Sequence, residues 1–357
     1  MTSELRAGII GASPWAGRSH APGLAAAGFR IAAIHSRSPG PAGRLAAEYG
    51  AKVAPTLDDL LAECDVVAIA TPNSVHAPAA VVAAQAGKHL FIDKPLSTDL
   101  FGARAIAAAA RTGGVRALVT LTYRASPAVA ACRRLVADGA IGALWSVRGF
   151  YLSGRYGDPA RPADWRTSRE AAGGGSIGDL GPHLLDLVAH VTGLPIERIY
   201  ARTRIHQAER PGGVVDNDDE CALVATLASG VTASLLTQRD HPVWPNHLEI
   251  ELTGSRGSLR LLPSGDGIPV TGALWRGETG GASAPVLFAP PYPDDFDADL
   301  AFATAHFGVL ARRFRRAILT ATDADPGLNA GLAVQTAIEA AQRSAAEDRP
   351  VALDELR

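Results

Sequence analysis

The 357-residue sequence predicts an α/β protein, with a doubly wound parallel sheet first and a second α/β half of mainly antiparallel strands after it. Three observations carry this reading. Up to about residue 122, short apolar runs alternate with Ala-rich segments, the pattern of buried parallel strands joined by helices. After Tyr123 the strand-like stretches lengthen and alternate apolar with polar residues, as half-buried antiparallel strands do. The change of pattern divides the chain into expected domains 1–122 and 123–357.

In the first domain, strands are expected at Arg6–Ile10, Arg30–Ser36, Val66–Ala70, His89–Ile92 and Ala117–Leu121. The intervening helices fall at Pro22–Ala27, Pro41–Tyr49, Leu57–Glu63, Ala77–Ala86 and Leu100–Thr112. The second domain opens with a helix at Val129–Asp138, a strand at Leu144–Leu152 and a polar loop through Asp158-Pro159. A Gly-rich segment then leads into a helix carrying Asp179 to His190. Strands follow at Ile199–His206, Cys221–Ala228, Thr232–Gln238, His247–Thr253 and Gly257–Leu262, with Ser229-Gly230 as a hairpin turn. The Pro/Gly-rich piece Pro263–Pro293 reads as a loop excursion, and helices at Phe302–Thr320 and Gly327–Ala346 close the chain.

Hydrophobic residues make up 47% of the chain, enough for a packed core, and the formal net charge is −2. Such a balance offers no field for nucleic acid or an anionic membrane. The cluster Arg312-Arg313-Phe314-Arg315-Arg316 reads as a solvated helix face. Cys64, Cys132 and Cys221 are odd in number and far apart, which fits neither a disulfide framework nor a zinc knuckle. No secretory leader pattern is visible, and no apolar run reaches the roughly 20 residues of a membrane span. A cytoplasmic protein is expected.

The motifs point to a nucleotide. The first strand runs into Gly11-Ala12-Ser13-Pro14-Trp15-Ala16-Gly17, where a dinucleotide fold wraps a pyrophosphate. Gly11 fits the first glycine, Ser13 stands where the second belongs, and Ala16 or Gly17 supplies the third small residue. After the second strand comes Ser36-Arg37-Ser38, with no acid to grip a ribose 2′-hydroxyl. These side chains suit a 2′-phosphate, so NADP is favoured over NAD. Thr71, Pro72, Asn73 and His76 follow the fourth strand, and Asp93, Lys94 and Pro95 follow the fifth. Both groups lie where open α/β sheets bind ligands.

On a continuous helix Asp179, His183, Asp186 and His190 would form one polar stripe, with Asp179 and His183 a turn apart as an acid/base pair. Pro182 cannot donate to the Gly178 carbonyl, so a bend or a late start is expected there. The four side chains span about 16 Å along such a helix, too far for one ion, and no metal is expected. Asp186 and His190 read as helix-surface or interdomain residues. Asp216-Asn217-Asp218-Asp219-Glu220 lacks the glycine and distal Glu of a calcium loop and reads as a solvated turn. Loop side chains such as Tyr151, Arg155, Tyr156 and Trp244 are the expected source of substrate specificity, and the segment His241–His247 faces a substrate or a neighbouring subunit.

Together the motifs resemble the glucose–fructose oxidoreductase/inositol dehydrogenase (Gfo/Idh/MocA) family. The matching segments are Gly8-Ile9-Ile10-Gly11 with His20, Thr71-Pro72-Asn73 with His76, Ala86-Gly87-Lys88-His89, and Asp93-Lys94-Pro95-Leu96. Trp165-Arg166 before Gly173-Gly174-Gly175, Asp179 with His183, Gly254–Leu259 and the tail Arg349-Pro350-Val351 continue the series in order. The resemblance implies a Rossmann domain followed by an α/β domain with a large open, mainly antiparallel sheet, through which a homodimer or homotetramer forms. It implies NADP or NAD as cofactor, a carbohydrate-like substrate, and Lys94, Asp179 and His183 as the catalytic set. Trp165 and Arg166 would border the nicotinamide and substrate, with Tyr123 and Arg124 at the cleft between domains. Asp93 replaces the family's usual Glu. The Ser-Pro-Trp-Ala loop resembles the subgroup of the galactose-pathway repressor, which raises a non-catalytic dinucleotide sensor as the alternative.

Overall fold

The strand β1 (Arg6–Ile10), buried from Ala7 onward, lies inside a six-stranded, all-parallel sheet in this computed structural model. The other strands of the sheet are β2 (Arg30–His35), β3 (Lys52–Val53), β4 (Val66–Ile69), β5 (His89–Ile92) and β6 (Ala117–Val119), in the order β3-β2-β1-β4-β5-β6. The crossovers are α1 (Pro14–Arg18), α2 (His20–Ala26), α3 (Pro39–Tyr49), α4 (Leu57–Glu63), α5 (His76–Gln85) and α6 (Leu100–Thr112). Local chemistry sets their ends: Thr56 and Asp59 close a capping box on α4, and Asp99 caps α6. The structure describes residues 4–290 and 292–356; residues 1–3, 291 and 357, which the expected domains include, lie outside the described residues.

The second half contains α7 (Pro127–Ala137), β7 (Leu144–Ser153), α8 (Arg169–Ala172), α9 (Ser176–Asp179), α10 (Gly181–Thr192) and β8 (Ile196–Arg204). A two-stranded ribbon of β9 (Glu209–Arg210) and β10 (Gly213–Val214) precedes β11 (Glu220–Leu227), β12 (Thr232–Gln238), β13 (Asn246–Gly254) and β14 (Gly257–Ser264). Ser229 and Gly230, both at positive φ, make the turn between β11 and β12 as expected. The excursion predicted at Pro263–Pro293 is instead two further strands, β15 (Ala273–Glu278) and β16 (Ser283–Pro285). Leu274 is buried, and this apolar anchor outweighs the flanking Pro and Gly. After α11 (Phe302–Leu319) and α12 (Leu328–Glu347), β17 (Val351–Ala352) completes a nine-stranded sheet ordered β16-β15-β14-β13-β7-β12-β11-β8-β17. One pair, β7 with β12, is parallel, and the others are antiparallel. Helices α7 and α10 cover one face of this sheet; Tyr200 and Val224 lie exposed on the other, which holds a shallow hollow of about 650 Å³.

The chain divides into two compact units, Met1–Ala125 with Asp294–Leu332 and Ser126–Pro293 with Ala333–Arg357. The division falls after Ala125, and α11 returns to the first unit. The reason is packing: Gly23 on α2 leaves no room for a Cβ against Phe307, and Phe314 stacks on Phe29 at 6.1 Å. Phe314 and the backbone carbonyls of Asp294 and Asp295, which accept from Arg312, tie down much of the basic cluster read as solvated.

Within this packing His306 donates from Nδ1 to the Phe302 carbonyl at 2.8 Å, and burial pushes its pKa down to about 4. Burial does the same to His20, against the pull of Asp93. The unfolded chain takes up these protons below the ordinary value of 6.5, whereas the folded chain does so only near 4. Stability is therefore lost as pH falls through that window, by about 3 kcal/mol per imidazole when complete. His306→Phe should flatten the fall of Tm between pH 7 and 5; a slope equal to wild type would contradict the assignment.

Candidate active site

In a parallel sheet the loops after the carboxyl ends of the strands gather on one edge, and the order reverses between β1 and β4. That edge brings together Gly11, Ser13, Trp15, Ala16, Ser36, Arg37, Thr71, Pro72, Asn73, His76, Asp93, Lys94 and Pro95. Gly11 adopts φ +103°, and a Cβ there would run into the Ala70 carbonyl. The loop thus passes beside β4 at a distance open only to glycine, a cradle that fits a dinucleotide. The departure at Ser13 has a local cause. Its hydroxyl accepts the Ala16 N–H at 3.2 Å and caps α1, so the side chain serves the helix.

One carboxylate joins this edge. Asp93 Oδ2 accepts the Trp15 indole N–H at 3.1 Å, and Oδ1 accepts the Lys94 N–H at 2.9 Å and the Thr120 hydroxyl at 2.7 Å. Burial opposes its charge, but His20, Lys94, His76 and Thr120 outweigh that and hold its pKa below the usual value. Below it, Ser19 donates to the Trp15 carbonyl at 2.6 Å and meets His20 Nδ1 at 3.0 Å. Because the Ser19 proton is committed, Nδ1 carries the His20 hydrogen. His76, wholly buried, contacts the carbonyls of Pro95 and Thr71 at 2.9 and 3.1 Å, pinning the β4 and β5 turns to one ring. Thr120 and Ser19 escaped sequence reasoning, since a lone hydroxyl at a strand or helix end carries no signal of its partner. In the same unit Tyr123 is buried against Phe302, and Arg124 pairs with Asp325 at 2.7 Å.

The second unit holds Trp165, Arg166, Tyr151, Asp179 and His183. The helix expected to carry Asp179 to His190 is divided: α9 ends at Asp179 and α10 begins at Gly181 with Pro182 in its first turn. The break predicted from Pro182 is therefore real, and Asp179 and His183 sit on separate helices. Asp179 lies 3.9 Å from Arg166 Nε, and the Arg166 guanidinium covers the Trp165 ring at 4.1 Å. His183 is almost buried, beside the Tyr151 ring at 6.0 Å, and the Tyr151 hydroxyl donates to Asn246 at 2.9 Å. Asp186 is buried rather than on the helix surface. Arg155 is exposed on the loop after β7. Tyr156 is wholly buried among Arg161, Arg210 and Arg239 and donates to Asp164 at 2.6 Å, which removes it from the specificity candidates. Trp244 stacks between His241 and His247.

Residues 216–220, expected as a solvated turn, are the clearest correction. Asn217 and Asp219 are fully buried and Asp218 nearly so. Asp218 accepts from Gly175 N, Ser176 Oγ and Ile177 N at 2.7–2.8 Å. Asp219 pairs with buried Arg239 at 2.9 Å. Asn217 and Arg239 both donate to the Arg166 carbonyl, at 2.9 and 2.8 Å. A run of acids looks solvated in sequence because its buried partners lie far along the chain. Among the described residues, no three His, Cys, Asp or Glu side chains group as a metal site, and no helix is long and apolar enough to cross a membrane.

These features define a two-domain α/β protein built on a dinucleotide-binding fold. Residues 5–121 match the family model for an oxidoreductase family with an NAD-binding Rossmann fold, and residues 129–260 match the GFO/IDH/MocA C-terminal domain. The dTDP-3,4-didehydro-2,6-dideoxy-alpha-D-glucose 3-reductase of Streptomyces antibioticus is 30% identical over 261 residues, 72% of this chain and 75% of that one. Levoglucosan dehydrogenase of Pseudarthrobacter phenanthrenivorans is 33% identical over 211 residues; the match spans about half of either chain, 54% of each. A solved levoglucosan dehydrogenase in complex with NADH and levoglucosan superposes with a TM-score of 0.90 at 26% identity, covering 98% of this chain and 100% of that one. The chain belongs to the GFO/IDH/MocA oxidoreductase family.

Trp15→Phe keeps the ring but deletes the donor to Asp93. NAD(P) affinity should fall by about 3- to 10-fold, as expected for one charge-assisted hydrogen bond. Unaltered affinity in a titration would show that the loop does not depend on this bond.

Proposed function

We propose that the chain is an NAD(P)-dependent dehydrogenase or reductase acting on a CH–OH group of a sugar, cyclitol or glycoside. One observation carries the reading: Lys94 stands at the carboxyl edge of the parallel sheet with its backbone N–H fixed by Asp93. When bound, the nicotinamide supplies the hydride chemistry. His183 takes the hydroxyl proton during oxidation and returns it in reduction. Lys94 hydrogen-bonds the same oxygen and stabilises its developing negative charge. Asp179 holds a neighbouring hydroxyl, oriented by Arg166, while Tyr151 and Arg155 contribute to substrate selection. Ser36 and Arg37, in place of an acid after β2, favour NADP; the levoglucosan dehydrogenase complex described above holds NADH, so both cofactors belong in the test. The regulatory alternative suggested by the Ser-Pro-Trp-Ala loop finds no support, because the similar proteins are named dehydrogenases and reductases. We place the enzyme in the cytoplasm.

The purified protein should reduce NADP+ or NAD+ with a member of a panel of sugars, inositols and glycosides, or run in reverse on a keto-sugar. Lys94→Ala and His183→Ala should each lower kcat by about 10²- to 10⁴-fold, the usual worth of such groups. Turnover within a few-fold of wild type in either variant would exclude the mechanism.

The exposed sheet face is the proposed contact between copies in a homodimer or homotetramer. Its apolar centre of Phe150, Val224 and Leu236 is rimmed by Arg148 with Glu251 and Arg260 with Glu249, ion pairs that a symmetric partner can exchange. Light scattering should return two or four times the chain mass, and Val224→Glu should reduce it; a monomer would end this proposal.

A further inference from the structure

We propose that Asp218 is a positioning residue for substrate binding: by clamping the start of α9 it sets Asp179 against Arg166. The inference rests on the role for Asp179 proposed above. Four hydrogen bonds fasten the strand end to α9. Gly175 N reaches Asp218 Oδ1, Ser176 Oγ and Ile177 N reach Oδ2, and Ser176 N reaches the Asp218 carbonyl at 2.7 Å. The approach is so close that a Cβ on Gly175 would overlap the Asp218 backbone, so glycine is required there. The Ser176 hydroxyl also meets Thr237 Oγ1 at 3.0 Å, which ties the clamp to β12.

Asp179 is one helical turn away, its N–H donating to the Gly175 carbonyl at 2.9 Å. A peptide unit whose N–H is held by Asp218 is thus next to the one that fixes Asp179. The opposite wall hangs from the same turn. Asn217, immediately before Asp218, donates to the Arg166 carbonyl, and Asp219, immediately after, holds Arg239, which donates to that carbonyl as well. Asp164 accepts from the Arg166 N–H at 2.8 Å and completes the turn. Three consecutive residues therefore determine the separation of the Arg166 guanidinium and the Asp179 carboxylate.

The break at Leu180 gives the proposal its signature. Asp179 belongs to α9, which Asp218 holds, whereas His183 belongs to α10. A hydroxyl held by Asp179 is held in the ground state and the transition state alike, so loosening it raises KM more than it lowers kcat. Proton transfer by His183 is spared.

The test is a double-mutant cycle of Asp218→Asn with Asp179→Asn, alongside amide hydrogen exchange. Asp218→Asn should raise KM for the sugar by about 10-fold, leave kcat within about 3-fold and leave KM for NAD(P)+ unchanged. In the Asp179→Asn background it should change KM by less than about 2-fold, because there is no carboxylate left to position. Exchange at residues 175–179 should quicken in Asp218→Asn. An equal KM effect in both backgrounds, a loss confined to kcat, or unchanged exchange would overturn the positioning role. Should Asp218→Asn fail to fold, Ser176→Ala, which deletes one of the four bonds to Asp218 together with the tie to Thr237, enters the same cycle with a smaller expected shift. Failure of the dehydrogenase reading itself shows separately, as wild-type protein without turnover on any polyol; an Asp179→Asn variant with unchanged KM would remove the proposal's basis.

Discussion

A carboxylate removed from water must be met by donors, and in this chain two such groups determine the geometry around them. In the first unit Asp93 collects an indole from α1, a backbone N–H from its own turn and a hydroxyl beyond β6. In the second, Asp218 collects three donors from successive residues at the start of α9. Each is a short, stiff acceptor that takes donors from segments distant in sequence, Trp15 and Thr120 for Asp93 and residues 175–177 for Asp218. Leaving any donor unmet would cost about 1–3 kcal/mol, so the loops have little freedom to relax elsewhere. The replacement of Glu by Asp at position 93 is accommodated in this way, since the shorter side chain still reaches Trp15 and Thr120.

The same economy explains why the polar stripe is interrupted. A single helix through Asp179 and His183 would need the Gly178 carbonyl to find a donor at residue 182, which is proline. The chain instead stops α9 and restarts, with Leu180 spanning the two. The roles proposed for Asp179 in binding and for His183 in proton transfer thereby fall on two different helices.

Much of the fold was legible because it rests on local patterns. Leu57–Glu63, Leu100–Thr112, Arg6–Ile10, His89–Ile92 and Thr232–Gln238 are found with the residues expected from apolar runs and periodicity. The gathering of loops at the carboxyl edge of the parallel sheet was legible too, since strand ends and Gly11 mark it. The rest depended on contacts across long separations. Strands β15 and β16 hide among Pro and Gly and exist through pairing, β15 with β14 and β16 with β15. Helix α11 joins the first unit through Gly23 and Phe307, far apart in the chain. The acids of residues 216–220 looked solvated until their partners at Arg166, Gly175 and Arg239 were placed beside them. Composition tells which residues can bury charge, and topology decides which do.

The central claim is that hydrogen leaves a carbinol carbon for the nicotinamide while His183 takes the hydroxyl proton. The most direct measurement uses a turnover-competent sugar or cyclitol deuterated at every carbon, with mass analysis of the reduced cofactor. The account predicts a reduced nicotinamide carrying one deuterium, formed by wild-type protein and nearly abolished by His183→Ala. A sugar consumed while the reduced cofactor stays unlabelled, or a label transferred equally well without His183, would contradict it.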